Sequence, residues 1–166
     1  MCCLSRVLLS LLWALLVGVA GTDAAYACPA GSSPAEHIRC LCEKAERGDV
    51  SSQYLLGTAY FVGIETPQNY EDAANWYRRA ANQGDTEARF RLGSMYYFGQ
   101  GVPKSIVLAE MWFILSAGQG HDFARQVRDT AALEMTSAQL AKAEKLAREW
   151  KPELDRFPSN RCGSSS

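Results

Sequence analysis

The chain has 166 residues, 48% hydrophobic and 21% charged, with a net charge of −1. This is the balance of a globular chain, and it argues against intrinsic disorder. Lys and Arg are scattered and offset by Asp and Glu, so neither the basic face of a nucleic-acid binder nor a polybasic patch for anionic lipid is present.

Arg6 is the only charge before an apolar run from Val7 to Ala20, and small residues follow, ending in Ala25-Tyr26-Ala27. At 14 residues the run is short for a membrane span, which needs ~20. A positive n-region, an h-region and an A-x-A site predict a secretory signal over 1–27, cleaved after Ala27. The expected mature chain is then periplasmic or secreted, starts at Cys28, and has no stable membrane span. Its 139 residues suit a single domain. Cys28, Cys40, Cys42 and Cys162 remain in it, an even number that reads as two disulfides with three possible connectivities.

Sliding the sequence by 36 places residues 48–84 on 84–120 with twelve of 37 positions identical, among them Leu56/Leu92, Gly57/Gly93, Tyr60/Tyr96, Gly63/Gly99, Ala73/Ala109, Trp76/Trp112 and Gly84/Gly120. Internal repetition of this length is the mark of a repeat architecture. Within each unit Ser52, Leu56, Gly57 and Tyr60 share one helical face. Gly63 and Pro67 bracket a loop, and Asn69 and Ser105 stand as N-caps of a second helix with Ala73, Trp76, Tyr77, Ala80 and Ala81 on its apolar face. Gly84 and Gly120 are placed to end that helix, with Asp85 or Asp122 starting the next. Gly57 and Gly93 recur inside a helix, where Gly costs ~1 kcal/mol against Ala; their repetition predicts a close helix–helix approach.

The run Ala88-x-x-x-Leu92-Gly93-x-x-Tyr96-x-x-Gly99-x-Gly101-Val102, followed by Ala109-x-x-Trp112-Phe113-x-x-x-Ala117-x-x-Gly120, resembles the Sel1-like repeat, a relative of the tetratricopeptide repeat. The first unit departs from the pattern at Ser52 and at Glu65-Thr66, which should alter its loop and not its fold. The resemblance implies an all-α, right-handed α-α hairpin solenoid of about two full repeats plus capping half-repeats. The expected layout is 1–27 signal, 28–47 an N-terminal segment with a cap helix, 48–84 repeat 1, 85–120 repeat 2, 121–150 a C-terminal capping hairpin and 151–166 an extended tail. The cap helix is read as a lone second helix, with Cys40 on the Trp76 place and Ala45 on the Ala81 place. In the terminal hairpin Arg128 takes the Leu92 place, and Thr136 with Gln139 forms a capping box.

No nucleophile-elbow, P-loop, zincin or dinucleotide motif is present, and His37 and His121 lack a visible nucleophile partner. No catalytic residue, metal or cofactor is expected. Cys40 and Cys42 point to nearly opposite sides of a helix, so they should not converge on an ion, and export favours disulfides. For the same reason each should bond a cysteine elsewhere: Cys28–Cys40 with Cys42–Cys162, or the swapped pairing. Cysteine-rich relatives of the family are linked to β-lactam binding or envelope hydrolysis, but they carry a Cys pair in each repeat, and both full units here lack Cys. The first helices should line a concave face. On it Tyr54, Thr58 and Phe61 of repeat 1, and Phe90, Ser94, Tyr97 and Phe98 of repeat 2, should form an aromatic ladder for another protein or peptide. The function expected is a non-enzymatic binding adaptor or regulator of the bacterial periplasm or envelope.

Overall fold

The computed structural model describes Cys28 and residues 33–152. The expected signal and Cys162 lie outside these. Among the described residues there are seven helices and no strand: α1 Pro34–Glu46, α2 Val50–Val62, α3 Tyr70–Asn82, α4 Thr86–Phe98, α5 Ile106–Ala117, α6 Asp122–Ala132 and α7 Ser137–Glu149. The fold is an all-α helical-repeat solenoid. Hairpins α2–α3 and α4–α5 are the two repeats, and α1 packs on α2.

The caps explain why the helices begin where they do. Asp49 and Asp85 each accept a backbone N–H from the first turn of α2 and α4, and Asn69 and Ser105 do the same for α3 and α5. Capping boxes start α1 at Ser33 and Glu36, and α7 at Thr136 and Gln139. At α6 the cap is His121, at the place of Asp49 and Asp85. Its Nδ1 accepts from the Ala124 N–H at 3.0 Å, and Asp122 is already inside the helix.

Gly57 and Gly93 mark close approaches. A Cβ on Gly57 would come within 2.8 Å of the Tyr77 ring, and one on Gly93 within 2.7 Å of Phe113. Each glycine therefore lets the second helix lay an aromatic ring on the first, fixing the hairpin. The loop difference between the units is local. Glu65 has φ 64° and Gly101, at its equivalent place, φ 65°. A Cβ on Gly101 would run into the Tyr70 carbonyl at the start of α3, whereas Glu65 sends its carboxylate to His37 of α1 at 2.6 Å. One loop conformation thus serves both units.

The core runs continuously through the repeats. Cys42 and Ala45 of α1 meet Leu56 and Trp76. Ala73, Ala74 and Tyr77 of α3 meet Leu92 and Met95 of α4 and Trp112 of α5. Phe90, Ala109 and Phe113 meet Ala124 and Ala131 of α6. The end of the array is built differently: α6 and α7 each pack on α5 more than on each other. The glycine place of α6 is taken by Asp129 and the ring place of α7 by Glu149, so this hairpin lacks the glycine–ring contact of the two repeats.

Candidate functional site

A cavity of about 450 Å³ opens on the face of the first helices, between α4, α5 and α6. Phe90, Ser94, Tyr97 and Phe98 line it from α4, Phe113 from α5, and Phe123, Gln126, Val127, Thr130 and Ala131 from α6. Four of the seven residues expected on the binding face are therefore brought together. Tyr54, Thr58 and Phe61 occupy the same places one repeat earlier and line no part of this cavity.

The ring contacts stay within each repeat and its neighbour, with no ladder. Tyr54 lies 5.7 Å from Tyr77, and Phe61 is 5.3 Å from Tyr70 and 6.4 Å from Tyr77. Phe90 repeats the first contact with Phe113 at 5.8 Å, and it is also stacked on His121 at 5.1 Å and edge-on to Phe123 at 5.3 Å. Arg91 separates the two sets. Its Nε donates to Glu87 at 2.9 Å, and its guanidinium stands 6.0 Å from the Phe90 ring. Burial pulls its pKa down, but interaction with the Tyr54 hydroxyl and with Glu87 outweighs this and holds it above the usual value.

A hydroxyl stripe runs along the face at the repeat spacing. Thr58, Ser94 and Thr130 each donate to the carbonyl four residues back, Tyr54, Phe90 and Gln126, at 3.1, 3.0 and 3.0 Å. In repeat 1 the Tyr77 hydroxyl also donates to Thr58 at 3.1 Å, and burial pushes that phenol up to about 12. Phe113 has no hydroxyl to offer Ser94.

At the rim the Tyr97 hydroxyl reaches both carboxylate oxygens of Glu134 at 2.8 Å. That hydrogen bond raises the Tyr97 pKa. The Tyr97 ring is edge-on to Phe98 at 5.1 Å and packs on the cluster of Phe90 and Phe113. Phe98 and Phe123 are 66% and 57% exposed, unusual for phenylalanine and in keeping with an open apolar wall.

The sequence reading missed the α5 and α6 walls. Continuing the 36-residue slide one step further would have found two of them, since Gln126 and Thr130 fall on the Phe90 and Ser94 places. Of the expected disulfide residues, Cys28, Cys40 and Cys42 are disulfide-bonded. Among the described residues no group of three or more His, Cys, Asp or Glu is arranged to hold a metal ion, and no helix is long and apolar enough to cross a membrane.

The model of the Sel1 repeat matches residues 50–85 and 86–121. Two solved structures are similar. One is a protective antigen present in uropathogenic Escherichia coli strains and displaying an SLR fold, 31% identical, with a TM-score of 0.68, over 72% of this chain and 26% of that one. The other is a Sel1 repeat protein from Oxalobacter formigenes, 38% identical, with a TM-score of 0.57, over 58% of this chain and 28% of that one. The chain spans about a quarter of the length of either. No curated protein matches it.

Proposed function

Because this chain carries two Sel1 repeats, we propose that it is a non-enzymatic adaptor or regulator that binds a protein or peptide at the face of its first helices, in the bacterial periplasm or cell envelope. Sel1-like repeat proteins typically mediate protein–protein interaction. The observation that carries the reading here is the open apolar cavity between α4, α5 and α6, because a concave, mainly apolar site with a few polar groups is the usual form of a binding site. The chemistry of the two histidines supports it as well: His37 is engaged with Glu65, and His121 caps α6 and contacts Glu87 at 2.8 Å. The signal-like N-terminus and the disulfide-bonded cysteines support export.

The test has two parts. Tyr97→Ala should weaken binding of a partner captured from the envelope fraction by ~2 kcal/mol while leaving the thermal midpoint of the fold nearly unchanged. Unfolding of the variant, with undiminished binding by the folded fraction, would show that Tyr97 belongs to the core. N-terminal sequencing of the exported protein should begin at Cys28, and retention of Met1 would overturn the localisation.

A further inference from the structure

We infer that the cavity takes an apolar side chain of a partner polypeptide whose neighbouring residue is basic, the cation pairing with Glu134. The inference rests on the reading of the first-helix face as the binding face and names what that face selects.

The repeat itself shows what is missing. Beside the Tyr54 and Tyr77 hydroxyls of repeat 1 lies Arg91, supplied by the next first helix, with its Nε on Glu87. The equivalent pair of repeat 2 is Phe90–Phe113, and the equivalent residue of α6 is Val127. Valine is shorter than arginine; it packs against the cluster of Phe90 and Phe113 and lines the cavity without closing it. Phe123 stands at the place of Glu87, so the wall that is charged in repeat 1 is aromatic in repeat 2. Tyr97, whose hydroxyl is bonded to Glu134, has its ring edge-on to Phe98, whereas Phe61 pairs with Tyr70 and Tyr77. The place that Arg91 holds in repeat 1 is taken in repeat 2 by the shorter Val127, and the cavity there is walled by Phe90, Phe113, Phe123 and Val127. Such a wall prefers an apolar group.

The charge follows from the rim. Arg125 is paired with Asp122, Arg128 with Asp129, and Arg91 and His121 both meet Glu87. Glu134 is exposed, accepts from Tyr97, and among the described residues has no cation within ion-pair distance. The rim therefore presents one uncompensated negative charge beside an apolar hole. A basic residue next to the apolar anchor matches both.

Isotope-labelled full chain with its disulfides intact, titrated with acetyl-Gly-Gly-Phe-Lys-Gly-Gly-amide, should show methyl shifts at Val127 and Ala131. The Phe-Glu peptide should bind two- to fivefold more weakly, the range for an exposed pair. The Ala-Lys peptide should bind at least tenfold more weakly, as loss of a buried apolar side chain requires. Glu134→Gln, an exposed change that leaves the core alone, should abolish the Lys-over-Glu preference. Val127→Arg, which restores the repeat 1 filling, should remove binding of both Phe peptides. Equal affinity for the Lys and Glu peptides, with shifts still at Val127 and Ala131, would overturn the charge selection and leave binding at this face standing. Shifts confined to α3 and α5 residues away from the cavity, or binding untouched by Val127→Arg in a folded variant, would overturn both.

Discussion

Between the two repeats, Leu92 of α4 is fully buried in an apolar cluster with Ala73 and Ala74 of α3, and Gly93 beside it lets the Phe113 ring close onto its own helix. Thirty-six residues on, Arg128 stands in place of Leu92, Asp129 in place of Gly93, and Glu110 in place of Ala74. Glu110 is 1% exposed, and its Oε2 has no hydrogen-bond partner, because Arg128 is engaged with Asp129 at 2.6 Å. The first junction combines apolar burial with hydrogen bonds from Arg78 to the Tyr96 hydroxyl and from Arg89 to the Ala81 carbonyl. The second buries a carboxyl among charges, a costly arrangement without complete pairing, and there α6 and α7 each pack on α5 more than on each other. The contrast teaches how one repeat frame can carry different junctions: where charged residues replace Leu92, Gly93 and Ala74, the following helices pack on α5 more than on each other, and a cavity stands between α4, α5 and α6.

Converting the first junction toward the second should produce the largest effect. Gly93→Ala places a Cβ within 2.7 Å of the Phe113 ring, in a helix interior where the backbone cannot easily yield. The propensity gain of Ala, ~1 kcal/mol, is outweighed by the overpacking, and the net loss of stability should be about 2–3 kcal/mol. Asp129→Ala in α6 should change stability by less than about 0.5 kcal/mol, the ordinary range for exposed sites. Urea midpoints of the two variants measure the difference directly, and equal shifts would remove the distinction between the junctions.

The second prediction uses the buried carboxyl. Burial pushes Glu110 up to about 7, with Arg128 of α6 opposing the shift and Asp129 of α6 and Glu144 of α7 reinforcing it. The unfolded chain releases this proton near 4.5, the ordinary value. Between these two values the folded state holds a proton that the unfolded state has lost, so stability falls as pH rises from about 4.5 to about 7 and then levels off. The whole effect is at most about 3 kcal/mol. Glu110→Gln should match the parent near pH 4.5 and exceed its stability at pH 8 by up to that amount. Amide exchange in α6 and α7 of the parent should quicken over the same window. Parallel stability curves for the two proteins would show that the carboxyl is not strained in the fold.

The helices, their caps and the glycine contacts were legible in the sequence because each depends on local chemistry or on a spacing that repeats. Asn69, Ser105 and Thr136 act as caps, and Gly57 and Gly93 lie against rings, as their recurrence required. The binding face was only half legible. Phe90 and Tyr54 are equivalent by position, but the residue that the following helix brings beside each differs, Val127 against Arg91, and the cavity lies beside Phe90. That contribution is a tertiary fact. Likewise Asp122 looked like the better cap of α6, and His121 takes the role because the helix begins at the same register as its two predecessors, where an imidazole nitrogen can accept as a carboxylate does.

The smallest expected effect lies in repeat 1 and runs the opposite way to the plugging of the cavity. Arg91→Val removes the side chain that meets the Tyr54 and Tyr77 hydroxyls and makes repeat 1 resemble repeat 2 at this place. The direct loss is modest: the Glu87 pair is exposed and contributes less than about 1 kcal/mol. The aliphatic stem covers apolar surface as well, so the total should stay near 1 kcal/mol. The informative readout is binding. If a missing long side chain is what opens the cavity, the variant should acquire a second site for the Phe-Lys peptide, seen as new shifts at Met95, the place equivalent to Ala131. Affinity there should be lower than at the first site. The Tyr77 hydroxyl, bonded to Thr58, puts a polar group where repeat 2 has only phenylalanine, and Phe61 still covers part of the ring. A variant that binds a single peptide, with no shift at Met95, would show that the tether between Tyr97 and Glu134, more than the length of the covering side chain, holds the cavity open.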